Sequence, residues 1–592
     1  MTTATATPAR QAEPTVPEVP SRRDVRLWNT AVVALPVLAL AILGWRHRAL
    51  TDDGTIFLRT VRQILAGHGP NVNMSERVEA NTSTLWQWIL VVLGAVTPGD
   101  LGFTAVSAGI VLTVAGLFVA LDATRRLHTA AGLRRLLPAG VLVPLAIPVF
   151  WDFAGSGLDT GLGTFWIAGC WWLLVRAHRS RAARGRVWHA VWAGLGFLVR
   201  PDFAIVTVAF LAGLWCVQRP GRWPALGHLA AAAALPTAYE VFRAGYYGML
   251  VPMPGLTKEP GDSDPGRGFR YAADFAGPVW LYVPAALLAA LAALWLLRAR
   301  PAPARLVVPL VPVVAASIHA AYVVRIGGDY MHGRMMLPAL FLALLPVLLV
   351  PARAATVAVA AATAVWATAV AGPWHPGAYH GNDASVSIRV RDSDITITGS
   401  ANPDHVAKWT IAFPNLRDAV AAGLAADRPV LVRLAPDGSV ERLLPLGPGH
   451  GPSRVSVPGG FLGVTGELVP LDQYIVEIWG LANTVGAHLE YTPDAHRKWP
   501  GHRKLMDDVW LLALELDPAV TDVPGIPAVT PASLAAARHA LGCGDLRELL
   551  DSIREPLTVS RFFRNMTGAY DRTTLRIPRD PFAAEAKFCR TG

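Results

Sequence analysis

Apolar residues gather in long runs between about residues 27 and 371, and the longer runs reach the roughly 20 residues a helix needs to cross a bilayer. The runs cover 27–44, 101–121, 137–150, 161–175, 187–199, 203–217, 224–238, 278–297, 306–324, 335–350 and 354–371. They predict a polytopic α-helical membrane region of about eleven spans, several of them short for a full crossing. After Pro373 the runs stop, and a different rhythm follows. Alternating segments at 385–390, 394–398, 429–434 and 459–465 predict strands, and 531–541 and 546–555 predict helices. The second region, 373–592, reads as a soluble mixed α/β or mainly β domain.

The stretch 84–96 decides the expected topology. It is apolar, but its residues would rise only about 20 Å as a helix, against a hydrocarbon core of roughly 30 Å. Counted as a non-spanning helix, it leaves the arginine-rich loops at 125–135, 176–186, 219–222 and 298–305 on one face. That face is the cytoplasm by the positive-inside rule. The N-terminus, with Arg22, Arg23 and Arg26, then lies inside, and 373–592 lies outside. Residues 1–26 read as a disordered cytoplasmic segment, 27–372 as the membrane domain, and 45–100 as its first external loop.

Composition supports this division. The 592 residues are only 16% charged, where soluble proteins average nearer a quarter, and mean hydropathy is +0.37. The net charge of +10 does not indicate nucleic acid, because along the apolar region the basic residues sit in short loops between the runs, the positive-inside pattern. Cys170 and Cys216 lie in apolar runs. Cys543 and Cys589 lie in the external region, where an oxidising compartment permits a disulfide; two unpaired thiols are the alternative. No CxxC spacing suggests a metal site.

The external loops collect the unusual chemistry. Asp52 and Asp53 precede an amphipathic segment, 55–66, suited to lying along a membrane interface. Adjacent carboxylates raise one another's pKa, and such a pair can serve as a general base or hold a divalent cation. Either Asp could instead be a helix cap. Lys258, Arg200, Arg334, His332 and Arg243 are candidate partners for an anionic phosphate. Lys258 could equally be a solvated loop lysine, and Arg200 a snorkelling one. Asp159, Asp202, Asp329 and Tyr330 are polar groups at span ends and are candidates to contact substrate; Asp159 could also cap the helix that begins near Thr160. In the C-terminal region Tyr474, Trp479, Tyr491 and Trp499 could stack on sugars or simply fill a core, and Glu477 and His502 are polar candidates beside them.

The first loop has a recognisable order: the acidic pair, a juxtamembrane helix, Gly67-His68-Gly69-Pro70, then Glu76 to Trp88 with Glu79, Asn81 and Trp86. This resembles the first external loop of GT-C glycosyltransferases. In wording it is most similar to the AftB-type terminal β-(1→2) arabinofuranosyltransferases of mycobacterial and corynebacterial cell walls. The likeness extends through 156–162, Arg200-Pro201-Asp202, Gly327 to Arg334, 480–483 and 500–502. It implies a GT-C fold in the plasma membrane, decaprenyl-phosphoryl-arabinose as donor, and the non-reducing ends of arabinogalactan or lipoarabinomannan arabinan as acceptor. It implies that Asp52 or Asp53 is catalytic and that Glu79, Asn81 and Trp86 contact substrate. A polyprenyl monophosphate carries little charge, so no metal or other cofactor is expected to be obligatory. Another polyprenyl-phosphate sugar, such as mannose, stays open. A flippase fits less well, since there is no internal repeat and the charges gather on one face.

Overall fold

The computed structural model describes residues 21–589 apart from 131, 181–185, 259–262, 373–385, 492–501 and 527. Of the residues singled out above, Trp499 lies outside these, as does most of 1–26. Among the described residues, six helices are long and apolar enough to cross a membrane by length and composition: Arg22–Arg46, Leu101–His128, Pro201–Gln218, Tyr282–Ala299, Pro303–Arg325 and Ala354–Ala371. The chain is mostly helical and is built as a membrane-embedded protein.

In chain order, helix α1 is Arg22–Arg46, α2 is Asp52–Leu65, α3 is Thr84–Val96 and α4 is Leu101–His128. Strand β1 (Leu136–Pro138) and the short α5 (Pro148–Ala154) follow, then α6 (Thr160–Arg179), α7 (Ala204–Gln218), α8 (Arg222–Tyr246), α9 (Tyr282–Ala299) and α10 (Pro303–Arg325). Beyond them come β2 (Leu349–Pro351), α11 (Ala354–Ala371) and α12 (Val390–Thr398). The rest of the C-terminal region includes β3 (Val430–Leu434), β4 (Val440–Pro445), β5 (Val455–Gly459), α13 (Leu462–Leu468) and β6 (Tyr474–Glu477), followed by short helices.

Three expected spans are broken. Residues 137–150 form β1, a helix Leu142–Ala146 and α5, split where Pro148 keeps the preceding Ile147 out of the helical region. Residues 187–199 make two short helices, and 335–350 makes short helical pieces around Pro338 and Pro346 before β2. β1 and β2 pair antiparallel, so the first and third of these segments meet at one end of the bundle.

The two ends of the bundle differ in chemistry. At one end, Trp28 and Asn29 of α1 donate to the carbonyls of Leu136 and Arg134, and Ala352 N–H donates to Arg135. The end of α4, with Arg125 and Arg126 on Asp122, lies there too, since His128 contacts the Pro346 carbonyl. At the other end, Asp100 caps α4 and also accepts from Val406 N–H, and Arg48 pairs with Asp404 at 2.6 Å. Asp52 and the C-terminal region are therefore gathered at the end opposite the Arg125–Arg135 loop. Between the ends, α4 and α6 pack closely. A Cβ on Gly161 would run into the Gly109 carbonyl, the small-residue contact typical of helices packed within a bilayer.

The C-terminal region carries a four-stranded sheet of order β4-β3-β5-β6, with β3–β4 antiparallel and the other two pairs parallel. Three of the expected strands are different, and of 386–389 only Ile388 forms an isolated bridge, to Met331. Val390–Thr398 is helical, stopped by Gly399 in a left-handed conformation (φ 64°). The 459–465 segment ends β5 at Gly459 and then opens α13. The helices Pro531–Leu541 and Gly544–Arg554 form as expected, and Cys543 and Cys589 are joined in a disulfide. Of the other two cysteines, Cys170 is buried and Cys216 is exposed, both as thiols.

The largest departure concerns α2. Its amphipathic pattern predicts a helix half immersed in lipid, yet it is buried almost all round. Ile56, Val72 and Ala80 join the apolar core of the four-stranded sheet, while Phe57, Leu58 and Val61 join that of the helical bundle. The polar side of α2 faces protein carbonyls instead of water. Arg59 donates to the carbonyls of Val72, Gly466, Val469, Pro470 and Gln473, and Gln63 to those of Val72 and Leu471. Five carbonyl partners are what a buried guanidinium needs to replace its lost water.

Candidate active site

Neither aspartate of the acidic pair is the helix cap. Thr51 caps α2, its hydroxyl oxygen accepting from Gly54 N–H at 3.0 Å, and Asp52 and Asp53 occupy the first turn. Successive helical positions point about 100° apart, so the two carboxylates face different surroundings.

Asp52 turns toward α13. Its Oδ1 accepts from Val464 N–H at 2.9 Å, and Gly463 packs against the same turn. A Cβ at Gly463 would collide with Thr55 Oγ1 and the Asp52 carbonyl, and would lie 2.7 Å from Asp52 Oδ1. Burial, with the charge of Asp53 beside it, pushes the Asp52 carboxyl up to about 7. Gly463→Ala is accordingly expected to cost roughly 1–3 kcal/mol through overpacking. It should also disturb Asp52, so a lower melting temperature is expected together with slower turnover. Unchanged melting and turnover would show that the contact is slack.

Asp53 is the more open of the two, its side chain 26% exposed. It faces Arg334, 3.9 Å away, and the hydroxyl of Tyr330 is turned to it. Arg334 is held by Asp329 through Nε at 2.7 Å and Nη2 at 2.6 Å. That arginine holds the buried Asp329 carboxyl below its ordinary range, against the upward push of burial. Arg267 donates to the carbonyls of Gly327 and Asp329 and so fixes the glycine turn that presents Asp329.

Lys258 completes this group. It lies within the field of Asp329, Asp53, Arg334 and Arg200, and burial pulls its ammonium down from its usual range. It forms no direct ion pair among the described residues. The neighbouring Thr257 donates to the Gly480 carbonyl at 2.6 Å, so the 480–483 turn positions the lysine's segment. Lys258 is half-buried in the field of these charges, which a fully solvated loop lysine would not be.

A second charged group lies alongside. Arg200 grips both oxygens of Asp202 at 3.0 and 3.1 Å, and His319 of α10 meets Asp202 at 2.8 Å. Arg200 also touches Met335 Sδ at 2.7 Å; it is packed inward and does not snorkel. Asp159 makes no cap bond to α6 and sits in the field of Arg200 and Arg334. Burial raises its carboxyl.

Beyond Arg200 is a small apolar cavity, lined by Phe150, Phe153, Ile167, Phe203, Leu337 and Phe341 among others, with Arg200 as its one charged wall residue. A second small cavity lies across α5, with Thr51, Asp152, Ser156, His332, Arg389 and Arg391 among its wall residues. An apolar slot that ends on a buried arginine suits a ligand with a hydrocarbon tail and an anionic head.

The fold thus assembles Asp52, Asp53, Arg334, Asp329, Tyr330, Lys258, Arg200, Asp202 and Asp159 from separate stretches of sequence. It engages the remaining candidates elsewhere. Arg243 is paired with Glu79 at 2.7 Å and with Glu240, and Tyr239 donates to Glu79. Asn81 donates to Gln87, and Trp86 is fully buried with its indole N–H on the Gly157 carbonyl. His332 faces Asp274 and Ser387. Glu477 accepts from the N–H groups of Trp479 and Ala482 and so shapes the 477–482 turn. Tyr474 is buried on Glu76, and Tyr491 carries Arg503 over its ring. His502 sits edge-on between Tyr330 and Trp479, with ring centroids 4.8 and 5.1 Å away. One acidic residue near the pair, Asp394 on α12, carried no signal in the sequence because its segment reads as a strand.

This arrangement defines a class: a membrane-embedded glycosyltransferase. The comparisons with known proteins agree. Residues 454–586 match the AftB family C-terminal domain. The terminal β-(1→2)-arabinofuranosyltransferase of Mycobacterium tuberculosis is 34% identical, over 94% of this chain and 96% of its own length. The protein of the same name from Corynebacterium glutamicum is 32% identical, over 91% of this chain and 84% of its own. No solved structure matches the chain. The chain belongs to the AftB family of terminal β-(1→2)-arabinofuranosyltransferases.

Proposed function

We propose that this protein transfers arabinofuranose from decaprenyl-phosphoryl-arabinose to the non-reducing ends of cell-wall arabinan, forming terminal β-(1→2) linkages. The observation that carries the reading is the apolar cavity closed by Arg200, whose charge network continues to Asp53. In this reading the cavity widens to admit the first isoprene units along its apolar walls. The phosphate lies among Lys258, Arg200 and Arg334, and the sugar lies against Asp53. Lys258 is the main phosphate partner, because both arginines already hold a carboxylate. A monophosphate met by these cations needs no obligatory metal.

Donor and product would both be β-linked, so configuration is retained. Two routes fit. In one, Asp53 attacks the anomeric carbon as the bond to phosphate breaks, and the acceptor hydroxyl then displaces the Asp53 carboxylate while the released phosphate takes its proton. In the other, the acceptor adds to the face the phosphate has just left, and the departing phosphate takes the acceptor's proton. Asp52, buried against Val464, supports Asp53 in either route.

The difference between the two ends of the bundle supports a topology. The arginine-rich end faces the cytoplasm with the N-terminus, and the Asp53 end with the whole C-terminal region faces outward from the plasma membrane. About eleven apolar segments lie within the membrane, the broken ones included. The C-terminal region, 373–592, is the external domain that guides the arabinan acceptor, with Trp479 and His502 beside the Tyr330 edge of the site.

The test is transfer by the purified protein in nanodiscs from decaprenyl-phosphoryl-arabinose to a synthetic arabinan, with product linkage read by NMR. A β-(1→2) product that still forms after chelation of divalent cations is expected. Transfer only from a mannosyl donor, or lipid movement without transfer, would overturn the reading. The same assay carries a pH prediction. Asp52 is neutral below about 7 and ionised above it. If its charge supports Asp53, transfer rises as pH increases through that value; a flat profile from pH 6 to 8 would remove Asp52 from the mechanism.

A further inference from the structure

Asp394 is buried, with 3% of its surface exposed, and its Oδ2 has no hydrogen-bond partner among the described residues. Val390, one turn earlier on the same face of α12, lines the second cavity together with Thr51, the cap of α2. The Val390–Asp394 face therefore turns toward the first turn of α2. Asp52 and then Asp53 are the charges that act on Asp394 most strongly.

The other charged groups around it are committed. On its own helix, Arg391 donates to the His47 carbonyl and lies 3.9 Å from Asp152, while Asp392 pairs with Arg389. On the neighbouring helix Val406–Ala412, Lys408 is held by Asp404. No cation pairs with Asp394 among the described residues. A buried carboxyl that faces two other carboxylates without a cation keeps its proton, and burial with Asp52 and Asp53 holds this one well above the ordinary range. In that form it is an O–H donor. A buried polar oxygen with no partner calls for an explanation, and an incoming ligand supplies one.

We propose that Asp394 is a third member of the reaction centre, a hydrogen-bond donor to an oxygen of the sugar phosphate or of the acceptor sugar. The proposal rests on Asp52 and Asp53 forming that centre. It differs from their role in one respect: Asp394 works without a negative charge, so an amide can replace it.

The test compares Asp394→Asn and Asp394→Ala in the full-length protein in nanodiscs, with donor and acceptor concentrations varied separately. Asp394→Asn should keep kcat/KM within about threefold of the parent, and Asp394→Ala should lose roughly tenfold, the size of one lost hydrogen bond. A loss that appears as a raised KM for the donor assigns the oxygen to the sugar phosphate; a raised KM for the arabinan assigns it to the acceptor. An Asn variant as impaired as the Ala variant, or an Ala variant equal to the parent, overturns the proposal. If Asp394→Ala fails to fold, Asp394→Asn alone decides: activity near the parent supports a neutral donor, and a tenfold loss rejects it. Full activity in both Asp52→Asn and Asp53→Asn would instead overturn the reading of the centre, whatever Asp394 does.

Discussion

Asp53→Asn is expected to lower the turnover of arabinosyl transfer about 10²- to 10⁴-fold, the range seen when a positioned acid–base or nucleophilic carboxylate is removed. Asp53 is the member of the pair that opens toward the site, with Arg334 at 3.9 Å and Tyr330 turned to it. Asn keeps its shape but can neither attack carbon nor take up a proton. The donor phosphate's partners are untouched, so the KM for donor should change little. Asp52→Asn should cost less. Its Oδ1 bond from Val464 N–H can be kept by an amide oxygen, and only its charge is lost. The check is single-turnover transfer by both variants, with donor binding measured separately. Equal losses, or a larger loss at Asp52, would reverse the assignment of the two residues.

Arg334→Met should be the most damaging change to the folded protein. Arg334 binds Asp329 through two nitrogens, and Asp329 is 2% exposed. Removing the guanidinium leaves a buried carboxylate whose remaining help is the Tyr330 N–H and the field of Lys258. Breaking one partner of a buried ion pair typically costs about 3–5 kcal/mol. The melting temperature should fall, and transfer with it, since Arg334 also faces Asp53. The double change Asp329→Asn with Arg334→Met separates the two effects. It removes the stranded charge, so most of the lost stability should return, whereas activity should not. Recovery of activity in the double variant would make Arg334 purely structural.

Several features of the site were legible in the chain. The acidic pair stands out because two adjacent carboxylates before an amphipathic helix are chemically conspicuous. Arg200-Pro201-Asp202 and Gly327 to Arg334 stand out because charges at the ends of apolar runs are costly unless used. Which of these residues meet is another matter. Arg243 and Lys258 look alike as loop cations in the sequence, yet Arg243 is absorbed by Glu79 and Glu240 while Lys258 stands in the field of Asp329 and Asp53. Only long-range packing separates the two.

The sequence misleads where local pattern and tertiary burial compete. The 394–398 segment alternates aspartate, isoleucine and threonine as a strand would. It forms a helix because Val390 and Asp394, four residues apart, are buried on one face, while the Thr396 and Thr398 hydroxyls bond back to carbonyls within the helix. β-propensity is a weak preference that such packing overrides. Asp394 was hidden by this misreading. The same competition explains α2. Its polar stripe is the pattern of an interfacial helix, and a pattern cannot say whether water or protein carbonyls face the arginine.

The chain by itself determined the membrane region, the unusual chemistry of its loops, the candidate disulfide partners and, through the wording of its loops, the family. These depend on local composition and short motifs, which need no knowledge of contacts. The tertiary structure alone decided that α2 is clamped between the helical bundle and the C-terminal sheet, that Asp53 and not Asp52 opens toward Arg334, and that Asp394 joins them. Those outcomes depend on which distant segments share one buried space, where charges must find partners or give up their ionisation. No local pattern encodes that.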